Sequence, residues 1–202
     1  MDTFLVKWRD YQPHLDQFSA YLSSAEQDRM QRFAHQTDRH RYIIARGLLY
    51  EGCAERLNVM PKDIEFALGP YGKPYVAGHT LYINLSHSVD WLLLGFDPHH
   101  PIGVDIQHHD DHDYLKLAQR FFHPEEQAQL KACAPEDLEK QFYAIWTQKE
   151  ALAKASGQGI QFGLASFSVL TPPEGLNVHQ HDAPQHYSAA VSKWFEYGEM
   201  KR

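Results

Sequence analysis

Apolar residues recur along this chain in two rhythms, one of period two and one near 3.6. Thr3 to Trp8 alternates and predicts a strand. Ser23 or Ser24, followed three residues on by Glu26 or Gln27, is a capping-box pattern and predicts a helix carrying Met30 and Phe33. Asp38 can cap a second helix, where Ile43, Ile44, Gly47, Leu48, Ala54 and Leu57 fall at helical spacing and Pro61 brings the end. Pro70 to Pro74 predicts a turn. Leu81 to Leu85 and Trp91 to Phe96 read as a hairpin turned through Ser86 to Asp90, and Asp97 to Pro101 reads as a linker.

The second half starts with a strand, Ile102 to Ile106. A helix from Asp113 to Phe122 carries Leu115, Leu117 and Phe121, and Pro124 opens another at its first position. A long helix from about Glu136 to Ser156 buries Leu138, Phe142, Ile145 and Leu152, with Gly157 suited to its C-terminal cap. Ser166 to Leu170 and Tyr187 to Val191 predict closing strands. Both halves mix helices and strands, which makes the fold class α+β.

With 202 residues the chain can bury roughly 70% of its unfolded surface. A net charge of -7 argues against general nucleic-acid binding. One region departs from that balance: Arg29 to Arg46 holds five arginines and one acid, Asp38. That run suits either a solvated helix face or an edge that binds polyphosphate. The best apolar run, Trp91 to Phe96, is far too short to span a bilayer, and the start lacks the pattern of a signal peptide. Cys53 and Cys133 lack a C-x-x-C spacing and read as free thiols in a reducing compartment. A soluble cytoplasmic protein, without nucleic-acid or membrane partners, is expected.

Two segments carry chemistry. Gly103-Val104-Asp105-Ile106-Gln107 sets one acid inside an apolar strand, where it needs a partner such as a cation. Trp146-Thr147-Gln148-Lys149-Glu150-Ala151-Leu152-Ala153-Lys154 places Glu150 and Lys154 on one helix face. Alone, such a pair is an ordinary surface ion pair worth about 0.3–0.5 kcal/mol. A strand carboxylate, a helix carboxylate and an ammonium together can hold a divalent cation and a phosphate. The run His108 to Asp113 has metal-ligand residue types, but adjacent side chains point apart, so it reads as a solvated loop beside a cleft.

These segments, with Gly69-Pro70-Tyr71-Gly72-Lys73-Pro74-Tyr75 and Ile83-Asn84-Leu85-Ser86-His87-Ser88, come in the order of a known family. From about residue 23 to 170 the chain resembles the Sfp-type 4′-phosphopantetheinyl transferases, the monomeric pseudo-dimeric branch. The resemblance implies two similar α/β subdomains, 1–98 and 99–202, with an active site in the cleft between them. It implies transfer of the 4′-phosphopantetheine arm of coenzyme A to a serine of an apo acyl, aryl or peptidyl carrier protein, with 3′,5′-ADP released. By the same resemblance Asp105 and Glu150 ligate Mg²⁺ and Lys154 contacts the pyrophosphate. Lys73, Ser86 and His87 surround the 3′-phosphate and adenosine. Arg29 and, more weakly, Arg46 are basic phosphate contacts, and Glu126 matches an acid near the cleft. Gln107 departs from the pattern, since the family usually has a second acid there; its carbonyl can ligate only weakly, or a water takes the place. Two other functions stay open at this point: a catalytically weak coenzyme A-binding protein, and a metal-dependent phosphohydrolase built on the His/Asp run.

Overall fold

The structure, a computed structural model, describes residues 1–195. The first half runs β1 (Asp2–Lys7), a 3-10 stretch over Trp8–His14, α1 (Leu15–Ser19), α2 (Ser24–Gln31), α3 (Gln36–Leu57), β2 (Phe66–Leu68), β3 (Pro74–Val76), β4 (Tyr82–Ser88) and β5 (Trp91–Asp97). The second runs β6 (Ile102–His108), α4 (Tyr114–Phe121), α5 (Pro124–Ala132), α6 (Leu138–Ser156), β7 (Leu176–His181) and β8 (Tyr187–Trp194).

The same path is traced twice. β5 lies antiparallel between β1 and β4, and β8 lies antiparallel between β6 and β7. In each half the first strand forms an edge, helices follow, and a closing hairpin puts its last strand at the centre. This is the α+β class expected, in two similar halves. The long helices α3 and α6 each cover the outer face of one sheet. Ile44, Leu49 and Cys53 of α3 pack with Trp8, Phe18, Leu92, Leu94 and Phe96. Phe142, Ile145 and Leu152 of α6 pack with Phe122, Leu130, Phe167 and Leu176. Each fully buried aliphatic side chain of this kind contributes about 1.5–3 kcal/mol.

A third cluster joins the halves: Leu93 of β5 meets Ile102, Val104 and Ile106 of β6 and Ala189 and Val191 of β8. The continuous apolar run of β5 follows from this position. Leu92, Leu94 and Phe96 face α3, Leu93 faces the other half, and both faces are dry. At the seam, β4 and β6 are joined through side chains. Val104 N–H donates to Asn84 Oδ1 at 2.9 Å, Ile106 N–H to Ser86 Oγ at 3.3 Å, and His108 N–H to Ser88 Oγ at 2.9 Å. Alternate residues of β4 thus satisfy the edge of β6 that its own sheet leaves open.

Several local expectations are corrected. The capping box is Ser23 with Glu26, but α2 stops at Gln31, and Phe33 lies beyond it with its ring 5.3 Å from that of Tyr42. His35, not Asp38, is the N-cap of α3; Asp38 lies in the first turn and pairs with Arg41. β4 extends through Ser86 to Ser88, because their hydroxyls serve the seam, and the turn is confined to Val89 and Asp90. Ser166 to Leu170 forms no strand; the closing partner of β8 is β7, at Leu176–His181. The 166–170 segment is pinned by side chains: Phe167 O accepts from Lys149 Nζ at 2.7 Å, and Val169 N–H donates to Glu126 Oε1 at 2.7 Å. The first strand ends at Lys7, Trp8 opening the 3-10 stretch, and residues 9–19 and the small β2–β3 ribbon carried no prediction. Cys53 and Cys133 are both free thiols, and burial pushes Cys53 up to about 12. Among the described residues no helix is long and apolar enough to cross a membrane.

Candidate active site

Gly103 sets the geometry. α6 lies so close to β6 that a Cβ at Gly103 would sit 1.9 Å from Ala151 O and 2.4 Å from Ala155 N. Small residues on α6, Ala151 and Ala155, complete that approach, both almost fully buried. The helix face carrying Glu150 and Lys154 is thereby brought to Asp105. Lys154 leans back toward the helix N-terminus, as helical side chains do, and its Nζ lies 2.6 Å from Asp105 Oδ1 and 3.1 Å from Val104 O.

Both oxygens of Asp105, which is 1% exposed, are held. Oδ1 accepts from Lys154 and, at 2.8 Å, from the hydroxyl of Ser86 in the other half. Ser86 Oγ in turn accepts from Lys154 Nζ at 3.1 Å. Oδ2 accepts from the Gln107 amide at 3.2 Å. Asp105 and Gln107 share a face of β6, as their spacing implies, but it is the amide nitrogen that meets the carboxylate. Burial and the nearby Asp105 charge raise the Glu150 carboxyl above the ordinary glutamate value, with Lys154 opposing them. Burial is the larger cause, and the Asp105 charge adds to it.

The donor set fits a hard cation: two carboxylates supply oxygen, and water and phosphate complete the shell. Among the described residues no group of three or more His, Cys, Asp or Glu side chains gathers that could hold a metal by itself. The His108 to Asp113 run is engaged otherwise. His108 pairs with Asp110 at 2.8 Å. His109 bridges Glu139 at 3.1 Å and Ser188 at 2.9 Å, stacked on Tyr143.

Beside this centre lies an exposed His87, on β4 next to Ser86. Partial burial of its ring, then the charges of Arg41 and Lys154, lower its pKa, while Asp38 works against them. Arg41 is the basic residue that the sequence did not single out. It lies on α3, paired with Asp38 at 2.5 Å, and its charge acts on His87. Arg29 is exposed on α2, its guanidinium 5.4 Å from the Tyr42 ring centroid. Arg46 is ion-paired with Glu26, which also accepts from Tyr50 at 2.7 Å, and lies 4.3 Å from the Phe66 ring centroid. Glu126 is fully buried and paired with Lys149 at 2.6 Å, where it ties the start of α5 to α6 and the 167–169 segment. Lys149, missed in the sequence, is likewise structural. Lys73 turns inward from the Gly69–Lys73 turn and donates to three backbone carbonyls of the second half. A cavity of about 360 Å³ opens there, lined by Tyr71, Lys73, Tyr82, Pro101, Ser156 and Gly157 among others.

Comparison with known proteins covers most of the chain. Residues 101–198 match the family model of the 4′-phosphopantetheinyl transferase superfamily, and residues 6–99 match that of the 4′-phosphopantetheinyl transferase N-terminal region. The chain belongs to the 4′-phosphopantetheinyl transferases. A 4′-phosphopantetheinyl transferase of Bacillus subtilis is 32% identical over 189 residues, covering 87% of this chain and 84% of the relative. The 4′-phosphopantetheinyl transferase Sfp of Bacillus subtilis is 31% identical, covering 79% and 71%. The 4′-phosphopantetheinyl transferase HetI of a Nostoc species is 35% identical, covering 79% and 70%.

Proposed function

We propose that this enzyme moves the 4′-phosphopantetheine arm of coenzyme A onto a serine of an apo acyl, aryl or peptidyl carrier protein. The observation that carries the reading is the meeting of Asp105 and Lys154 with Ser86 across the seam between the two halves, with Glu150 one helical turn before Lys154 on α6. The serine oxygen attacks the β-phosphorus; the bond from that phosphorus to the bridging oxygen breaks, and 3′,5′-ADP leaves. Glu150 takes the serine proton, directly or through water, and its raised pKa suits that task. Lys154 stabilises charge on the transferring phosphate. Asp105 and Glu150 would hold Mg²⁺, which when bound neutralises and orients the pyrophosphate. Positioning and charge neutralisation carry most of the rate. Arg41, His87 and Arg29 form the basic edge toward the nucleotide, and Arg46 is left out of it.

The division of labour runs between residues 1–98, which contact the nucleotide, and 99–202, which hold the metal and the transfer chemistry. The last seven residues of that second part lie outside the described residues. The enzyme works as a monomer in the cytoplasm. Neither alternative function gains support. The His/Asp run is engaged in structural bonds, and the centre has acid and ammonium placed for turnover.

The test is incubation with coenzyme A, Mg²⁺ and a panel of apo carriers, followed by intact mass. A carrier should gain one phosphopantetheine group, and EDTA should stop the gain until Mg²⁺ is restored. A panel left wholly unmodified would overturn the function, and full rate in EDTA would overturn the metal.

A further inference from the structure

We propose that Lys73 is a positioning residue for the transfer reaction, gripping the carbonyl end of α6 and so fixing Lys154, and that it is not a ligand of the coenzyme's 3′-phosphate. This rests on the transferase reading above. The argument begins with the turn that carries Lys73. Gly69 N–H donates to Lys73 O at 2.9 Å, and Gly72 N–H to Gly69 O at 2.9 Å. Gly72 has φ of +81°, a conformation that suits glycine, and Pro74 stiffens the exit. The side chain therefore leaves a rigid base.

Its ammonium ends between the two elements that build the active centre. Nζ donates to Lys154 O at 2.6 Å, to Ile102 O at 2.8 Å and to Ala155 O at 3.4 Å. An ammonium has three protons and no acceptor site. All three are used on backbone, and none is left for a phosphate. Lys154 and Ala155 lie in the last turn of α6, where carbonyls lack partners within the helix and the dipole favours a cation. The Gly157 cap supplies only one weak bond there, to Lys154 O at 3.3 Å. Burial lowers the Lys73 pKa to about 7. The carbonyls work in the opposite sense, since only the protonated amine can serve all three.

The consequence is a double hold on Lys154. Its main chain is held by Lys73, and its side chain by Asp105 and Ser86. Ile102 belongs to β6, the strand of Asp105, so one ammonium locks the end of α6 to the strand it must face.

The experiment compares wild type with Lys73→Met and Lys73→Arg. Three readouts are taken: kcat for carrier modification, calorimetric affinity for coenzyme A and for dephospho-coenzyme A, and amide hydrogen exchange at Gly157. If Lys73 positions α6, Lys73→Met lowers kcat about 10- to 100-fold, the scale of a small misplacement. Both affinities then change less than about threefold and by the same factor, since no phosphate contact is lost. Exchange at Gly157 becomes faster, and Lys73→Arg, which keeps the charge, recovers part of kcat. Selective loss of coenzyme A affinity with dephospho-coenzyme A unaffected would overturn the proposal, as would an unchanged kcat. Should Lys73→Met fail to fold, Lys73→Arg and Lys73→Gln carry the same comparison. The binding and exchange readouts need no turnover, so they decide the role of Lys73 even if the transferase reading itself fails.

Discussion

Replacing Gly103 by alanine adds a single methyl group at the point where α6 touches β6. That methyl carbon would lie 1.9 Å from Ala151 O and 2.4 Å from Ala155 N, against backbone that cannot swing aside. Real Cβ atoms essentially never approach closer than 3.0 Å, so the helix must withdraw by about 1 Å. Lys154 rides on that helix, and its 2.6 Å contact with Asp105 has no slack. A misplacement of about 1 Å can cost on the order of 100-fold in rate, or about 2.7 kcal/mol of barrier. Overpacking itself costs about 1–3 kcal/mol of stability, and for a domain of this size each kcal/mol lowers Tm by about 2–4 °C. The assay pairs initial rates of carrier modification at saturating coenzyme A and Mg²⁺ with a thermal melt. Gly103→Ala should fold, melt a few degrees lower and transfer about 100-fold more slowly. A folded variant within twofold of the wild-type rate would show that the close approach of helix and strand does not set the site.

Four further outcomes follow from the same geometry. Gln107→Glu replaces an amide that donates to Asp105 at 3.2 Å by a second anion, which repels Asp105 until a divalent cation joins them. At about 1 kcal/mol or more per unit charge, half-maximal activity should need several-fold less Mg²⁺. An unchanged requirement in a Mg²⁺ titration would remove Gln107 from the ion's surroundings. Glu150→Gln should raise metal-free stability at neutral pH: a carboxyl whose folded pKa exceeds its unfolded one loses stability as pH rises between the two, and the loss persists above them. Melts from pH 3 to 8 should show the gain vanish below the unfolded value of about 4.3, and an equal gain at all pH values would refute the sign. Arg41→Ala should weaken coenzyme A binding about 10- to 100-fold, the worth of a charged hydrogen bond. Arg46→Ala should instead cost about 2–3 kcal/mol in a melt, leaving Glu26 without its cation, with calorimetric affinity intact; the reverse pattern would exchange their roles.

The fold class and the family were legible because the strongest signals are local: a helix from about residue 136 to 156, a buried acid in an apolar strand, and four motifs in order. What stayed hidden depends on where elements lie in space. Arg41 and Arg46 share α3, and no periodicity tells that one pairs with Glu26 while the charge of the other acts on His87. The carbonyls that Lys73 meets could not be read from its sequence neighbours, because they do not reveal where four methylenes lead. Ser166 to Leu170 alternates like a strand through Phe167 and Val169, yet the buried Lys149–Glu126 pair supplies its hydrogen bonds. Ser86 and Ser88 looked like a polar turn, because hydroxyls that pair with the edge of a distant strand have the same composition as hydroxyls in solvent.

The side-chain seam between β4 and β6 gives the molecule a property that neither half has. Ser86 and Lys73 come from one side of it, and Asp105, Glu150 and Lys154 from the other. The chain between β5 and β6, Pro98 to Pro101, also tethers the partners at high effective concentration. Severed there, the enzyme becomes a pair of fragments whose turnover reports their encounter. The seam side chains, the Lys73 ammonium and one dry patch then act as the coupling of a split enzyme, with assembly as its on-switch.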